Sequence, residues 1–221
     1  MQDDNTVFNF LNRSNILLLG AVSAGIFLII ILSRSTNTTK AKRKMLVVII
    51  ACGGFISMAL NLILILNFQE TFGSIYEFIG AISAIFLFGS ALGAVITARI
   101  SAQKIKLVLS FTIIVMACVL FSIPWLFKFL LQVHSILLTF AAAIIFGSLI
   151  GVLFGIVNRI YCDRQTDLGS IYAYDVFGSS LGALTASSLL LPVLGIREMT
   201  LMLMLLLSPA LLAAFLIQKH H

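Results

Sequence analysis

Residues 45–67 read MLVVIIACGGFISMALNLILILN and contain no Asp, Glu, Lys or Arg. An α-helix rises 1.5 Å per residue, so a run of about 20 apolar residues spans the hydrocarbon core of a bilayer. Similar runs recur along the chain, which is 61% hydrophobic and only 10% charged. Soluble domains carry about 25% charged residues. The sequence therefore predicts an integral membrane protein.

The apolar runs predict an all-α fold, a polytopic bundle of about seven transmembrane helices. No linker is long enough to separate domains, so we expect one transmembrane domain over residues 1–221 and no soluble domain. The polar N-terminus does not resemble a cleavable signal peptide. The expected spans are residues 15–33, 45–67, 76–97, 107–123, 135–157, 171–191 and 199–217.

Lys and Arg residues are distributed unevenly between the two sides that these spans define. Cytoplasmic loops are enriched in Lys and Arg, which predicts an outside N-terminus and a cytoplasmic C-terminus in a bacterial inner membrane. Topology therefore explains the net charge of +6, and the lipid bilayer, not nucleic acid, is the expected partner. The richer side holds Arg34, Lys40, Lys42, Arg43, Lys44, Arg99, Lys104, Lys106, Arg159, Arg164 and Lys219; the poorer side holds Arg13, Lys128 and Arg197.

A seven-residue motif occurs twice, as FGSALGA at 88–94 and FGSSLGA at 177–183. Gly-Ser-Ile-Tyr precedes each copy, although the two matches need different offsets. Because the copies fall on spans of opposite direction, they fit an inverted repeat of the kind found in secondary transporters. The alternative is convergence, since GxxxG patterns let helix backbones approach closely. Under either interpretation we expect helix packing by Gly89, Gly93, Gly147, Gly151, Gly155, Gly178 and Gly182.

Asp175 is the most distinctive polar residue, near the cytoplasmic end of the sixth span. Helical spacing places it on one face with Gly178, Ser179, Gly182 and Thr185. A carboxylate at this depth should face protein, water or a cation, which favours a proton relay or a cation site. The alternative is a carboxylate that caps a helix or pairs with Arg159 or Arg164.

Glu70 and Glu77 flank the loop between the second and third spans, on the outer side. They form either an acidic mouth that attracts cations or an ordinary solvated loop, with Glu77 favoured by the helix dipole. The candidate substrate-binding residues are Asp175, Glu70, Glu77, Tyr172 and Ser179.

Sequence patterns of catalytic chemistry are missing. The chain has no HExxH, no P-loop and no GxSxG with a partner histidine. Its cysteines, Cys52, Cys118 and Cys162, lack CxxC spacing, and His134 is the only histidine outside the C-terminal pair. We therefore expect no enzyme activity, no metal site, no disulfide and no cofactor.

Two segments resemble bacterial spermidine synthase-like membrane proteins. Residues 169–183, GSIYAYDVFGSSLGA, followed by LLLPVLG at 189–195, resemble their G-x-x-Y-x-x-D-x-x-G-x-x-x-G … L-P-x-x-G stretch. Residues 70–74 leading into 88–93 resemble their earlier E-x-x-G … G-x-x-x-G helix, and parts of the pattern also occur in major-facilitator transporters. Their membrane domain usually precedes a cytoplasmic aminopropyltransferase domain. We expect no such domain here, so the resemblance implies a membrane module without aminopropyl transfer.

These observations leave two main hypotheses. The first is a transporter-like module that binds or moves a small cationic solute such as a polyamine. The second is a non-catalytic structural or assembly subunit that anchors a separately encoded partner at the cytoplasmic face, or associates with copies of itself. A membrane-embedded enzyme is a third hypothesis, weakened by the lack of a catalytic group set.

Overall fold

The computed structural model describes residues 38–73, 76–161 and 166–219. Within these ranges the fold is all-α, with six helices. A short 3₁₀ turn, Ala102–Lys104, precedes the third helix, and a π-helical segment, Ala186–Leu190, joins the fifth to the sixth. The helices are α1 Thr38–Phe72, α2 Tyr76–Ala98, α3 Ile105–Val133, α4 Ile136–Tyr161, α5 Thr166–Thr185 and α6 Leu191–Lys219.

Four helices in the described ranges are long and apolar enough to cross a membrane, which indicates an integral, multi-pass membrane protein. They correspond to the second, third, fourth and fifth predicted spans. The first predicted span, residues 15–33, lies outside the described residues. The sixth falls on α5 and the π-helical segment, and the seventh includes a shorter apolar helix, Glu198–Ser208. The four long segments are Arg43–Phe72, Tyr76–Ala98, Leu107–Val133 and Ile136–Tyr161.

Helix α3 extends ten residues beyond the predicted end of the fourth span at residue 123, through Pro124 to Val133. Proline removes one backbone donor, but neighbouring helices can stabilise a transmembrane helix that contains it. Phe127 and Leu130 are buried beyond the proline, so packing holds this last part of α3 in place.

Helices α2 and α4 pack in parallel through small residues. A Cβ atom on Gly89 would lie 2.5 Å from the carbonyl oxygen of Ile144, and one on Gly93 would collide with the carbonyl oxygen of Ser148. Both contacts advance by four residues in the same direction, so the two helices are parallel. The glycines of α4 make the matching contacts with α2: Gly147 faces Phe86, Gly151 faces Ser90 and Gly155 faces Thr97.

Helices α1 and α5 pack in the same way. A Cβ atom on Gly182 would lie 2.5 Å from the carbonyl oxygen of Phe55, and one on Gly178 would collide with the carbonyl oxygen of Ala51. From the side of α1, Gly54 faces the backbone of Asp175. The seven glycines of the sequence prediction therefore all lie at contacts between helices.

Aromatic rings gather at one end of the bundle, where α1 and α3 end and α2 and α4 begin. We call this the aromatic end. The ring of Phe68 lies 4.8 Å from Phe72 and 5.3 Å from Phe78, and Phe78 and Phe140 are 6.4 Å apart. His134 ends α3 in a left-handed conformation, with its ring 6.4 Å from Phe72.

The opposite end of the bundle, which we call the basic end, contains the start of α1 and the ends of α2 and α4. Arg159 of α4 donates hydrogen bonds to the carbonyl oxygens of Thr97 at 2.6 Å and Ile100 at 2.7 Å. The Arg43 guanidinium lies 5.1 Å from the centre of the Tyr161 ring. Because α1 begins where α4 ends, these two helices are antiparallel.

Candidate functional site

A cavity of about 500 Å³ lies at the aromatic end, between α1, α3 and α6. Ligand sites in proteins are typically concave and largely apolar, with a few polar groups that orient the ligand. This cavity fits that description, because aromatic and aliphatic side chains surround one amide, two charges and one hydroxyl. Its lining residues are Asn67, Glu70, Leu120, Phe121, Pro124, Trp125, Phe127, Lys128, Leu131, Ile196, Thr200, Leu201 and Met204.

Asn67 is one of two buried polar residues that line this cavity, the other being Thr200, and 1% of its surface is exposed. Neither its Nδ2 nor its Oδ1 has a hydrogen-bond partner in the described part of the chain. Leaving buried polar atoms unpaired costs about 1–3 kcal/mol, and native proteins satisfy most such groups. Asn61 on the same helix differs, since its Nδ2 reaches the Ser83 hydroxyl at 3.3 Å. The amide of Asn67 is therefore buried without a partner among the described residues, in a residue that lines the cavity.

Glu70 follows Asn67 by three residues, so both lie on the same face of α1. Lys128 reaches the cavity from α3. Both charged residues are exposed, and the described residues include no ion pair between them. The cavity thus presents one carboxylate and one ammonium group from different helices, neither neutralised by the other.

Two backbone irregularities adjoin the cavity. Gly195 breaks the start of α6 with φ 74° and ψ 176°, a conformation that essentially only glycine adopts. The next residue, Ile196, lines the cavity, and Thr200 follows one turn later. On the opposite wall Pro124 lies inside α3, where it leaves one carbonyl without its helical donor.

Asp175 lies elsewhere, at the contact between α5 and α1. A Cβ atom on Gly54 would lie 2.8 Å from Asp175 Oδ1 and 2.9 Å from Ser179 Oγ, so both oxygens converge on a space left by the glycine. The alternative pairing of Asp175 with Arg159 is not seen among the described residues, where Arg159 bonds to the carbonyl oxygens of Thr97 and Ile100. Arg164, the other predicted partner, lies outside the described residues.

The structure separates the five candidate binding residues into different places. Glu70 lines the cavity, whereas Asp175 and Ser179 meet α1 near Gly54, sixteen residues earlier in the same helix, which corresponds to about 24 Å. Glu77 is exposed in the first turn of α2 and does not line the cavity. Tyr172 is also exposed, with 63% of its surface accessible.

Of the four polar residues that line the cavity, sequence reasoning names only Glu70 as a candidate and misses Asn67, Lys128 and Thr200. Lys128 belongs to α3 because the helix continues past residue 123, the predicted end of the fourth span. The available signal was the apolar spacing of Phe127 and Leu130, which continues the buried face of α3.

The geometry does not define a metal centre, since the described residues contain no group of three His, Cys, Asp or Glu side chains able to hold an ion. The chain matches no protein-family model, no curated protein and no solved structure. The resemblance to spermidine synthase-like membrane proteins therefore stays a prediction.

Proposed function

We propose that this chain is a transporter-like membrane module that binds a small amine-bearing solute in the cavity at the aromatic end. The observation that carries this proposal is Asn67, a buried amide without a partner in the described residues, placed in a cavity of about 500 Å³. A solute could satisfy both amide atoms, and the Glu70 carboxylate supplies a charge that attracts an ammonium group.

We also propose that the chain contains an inverted repeat, with α1 to α3 forming one half and α4 to α6 the other. The support is that α2 packs on α4 as α5 packs on α1, with motif glycines at equivalent positions. The outward residues of the motif also agree, since Phe88 and Phe177 are 59% and 61% exposed and Leu92 and Leu181 are 40% and 42% exposed. Many secondary transporters are built from such repeats.

The proposed membrane arrangement has seven spans, with the aromatic end outside and the basic end in the cytoplasm. Its support is the distribution of exposed cations, because cytoplasmic segments are enriched in Lys and Arg. Arg43, Lys44, Arg99, Lys104 and Arg159 are exposed at the basic end. In this arrangement the cavity takes solute from the outer side.

Asp175 is assigned a separate task in this proposal, coupling of solute movement to a proton or a cation. It is half-buried where α5 contacts α1 at Gly54. Gly54 and Glu70 are about 24 Å apart along α1. Ionisable residues inside transmembrane segments are costly and usually mark ion or proton pathways. Binding and movement should therefore respond to different substitutions.

The test is binding and uptake of labelled amines, including spermidine, putrescine and amino acids, by the purified chain in proteoliposomes. Glu70→Gln should abolish binding and uptake together, whereas Asp175→Asn should retain binding and lose uptake. Glu77→Gln is the matched control, since Glu77 lies at the same end but outside the cavity. If no amine binds or moves, the proposal fails, and a stoichiometric partner in a mild-detergent pull-down would instead support an assembly subunit.

A further inference from the structure

The aromatic-end cavity presents charges of both signs to whatever it holds. Glu70 comes from α1 and Lys128 from α3, and the described residues include no ion pair joining them. The cavity also contains the buried Asn67 amide, which can donate through Nδ2 and accept through Oδ1. The polar lining is therefore complementary to a molecule with one cationic and one anionic group.

We propose that the ligand is a zwitterion whose ammonium group binds Glu70 and whose carboxylate or phosphate group binds Lys128, with the Asn67 amide hydrogen-bonded to one or both. This inference rests on the proposed function and specifies its substrate class. Charge-assisted hydrogen bonds of this kind are about twice as strong as neutral ones, and each fixes one end of the ligand. Together they select for the presence of both charges.

A polyamine is a poorer match to this lining than a zwitterion. Its second ammonium group would share the cavity with Lys128, and like charges at close range repel, more strongly where water is excluded. A dicarboxylate would meet the same difficulty at Glu70. Unpaired charges against the wrong ligand are a common source of specificity.

Two sources can supply this chemistry, a free amino acid or the headgroup of phosphatidylethanolamine. The cavity is lined by Trp125 and Phe121, which are 63% and 54% exposed, so lipid can approach it from the side. Aromatic side chains of this kind are enriched at the level of lipid headgroups. The experiment must therefore distinguish a soluble zwitterion from a lipid.

The test uses delipidated protein in detergent and three probes with the same five-carbon chain: 5-aminopentanoate, 1,5-diaminopentane and glutarate. The α-amino acids are tested as further zwitterionic probes. Calorimetric titration should show that a zwitterionic probe binds. Glu70→Gln and Lys128→Gln should each lower the affinity for that probe about tenfold or more. The controls, Glu77→Gln and Lys104→Gln, remove exposed charges outside the cavity and should leave the affinity unchanged. The double variant Glu70→Lys with Lys128→Glu should bind better than either single reversal.

A parallel titration uses phosphatidylethanolamine, with phosphatidylglycerol as the lipid that lacks an ammonium group. Saturable binding of phosphatidylethanolamine alone, lost in both cavity variants, supports the zwitterion and assigns it to a lipid. The zwitterion proposal is overturned if 1,5-diaminopentane or spermidine binds as tightly as 5-aminopentanoate or more tightly, and if Lys128→Gln strengthens that binding. The proposed amine-binding function would then remain. Absence of binding for every amine, free or lipid, overturns both.

Discussion

Asn67 shows why the chemistry of a single residue depends on its neighbours in space. The sequence places two asparagines, Asn61 and Asn67, six residues apart on one apolar helix. In the structure Asn61 bonds to Ser83 across the contact with α2, whereas Asn67 has no partner among the described residues. Helical spacing could not distinguish them, because the difference arises from which helix covers each side of α1.

The glycines of the repeated motif give the most direct prediction at the residue scale. A methyl group at Gly93 would collide with the backbone of Ser148 and lie 2.8 Å from the Val152 nitrogen. We expect Gly93→Ala to lower the free energy of unfolding by about 1–3 kcal/mol, as overpacking usually does. The measurement is thermal or denaturant unfolding in detergent, monitored by circular dichroism.

Gly80 of the same helix is the matched control for Gly93. Nothing lies within 4 Å of the position of its Cβ atom, so alanine fits without displacement. Gly80→Ala should therefore leave stability unchanged or raise it by about 0.5–1 kcal/mol, since alanine favours the helix. Equal losses for the two variants would show that Gly93 is not needed for close packing.

At the scale of helices, the sequence correctly predicted that the repeated motif packs against neighbours, but not which ones. The pattern identifies a small-residue face on each helix, whereas the partner is set by how the helices of the bundle fit together. The Gly-Ser-Ile-Tyr matches illustrate the limit. Tyr76 is the first residue of α2, whereas Tyr172 lies well inside α5, so the two matches occupy different positions in their helices.

Arg159 gives a prediction about how helices are held at the basic end. Its guanidinium bridges from α4 to the carbonyl oxygen of Thr97 in the last turn of α2 and to that of Ile100, just beyond the helix. Arg159→Gln should lower the free energy of unfolding by about 1–2 kcal/mol, from two modest net hydrogen bonds at a partly exposed site. Urea unfolding of the two proteins in the same detergent measures this loss.

Arg99 is the control for Arg159, an exposed arginine at the same end whose side chain makes no hydrogen bond or ion pair to the described residues. Arg99→Gln should change stability by less than about 0.5 kcal/mol. If Arg99→Gln costs as much as Arg159→Gln, the effect comes from net charge and not from the bridge between helices.

For the whole molecule, composition and apolar runs were enough to predict a multi-pass membrane protein and the approximate position of most helices. What the sequence could not supply is the separation of the predicted site residues. Glu70 and Asp175 are both candidate binding residues, yet Glu70 lines the cavity at the end of α1 whereas Asp175 of α5 contacts α1 at Gly54. Spacing along the sequence gives no measure of the distance between the two residues, because that distance depends on where along α1 each of them lies in the fold.

The proposed orientation predicts opposite labelling of the two ends by a membrane-impermeant maleimide. In a background without Cys52, Cys118 and Cys162, Glu77→Cys should react from outside intact cells. Lys104→Cys, exposed beside the basic end, should react only after the membrane is opened. The reverse pattern would place the cavity on the cytoplasmic side.

The central claim is that the cavity lined by Asn67 and Glu70 is a ligand site. Asn67→Leu tests it most directly, through the increase in melting temperature caused by saturating ligand, with 5-aminopentanoate, the α-amino acids and spermidine as probes. Ligand at 100 times its dissociation constant stabilises a protein by about 2.7 kcal/mol. We predict that this increase is present in the wild type and lost in Asn67→Leu, although the ligand-free variant unfolds at a higher temperature because an unpaired buried amide is gone. A ligand-free variant that unfolds at a lower temperature, together with an unchanged ligand-induced increase, would contradict the account and make Asn67 a structural residue.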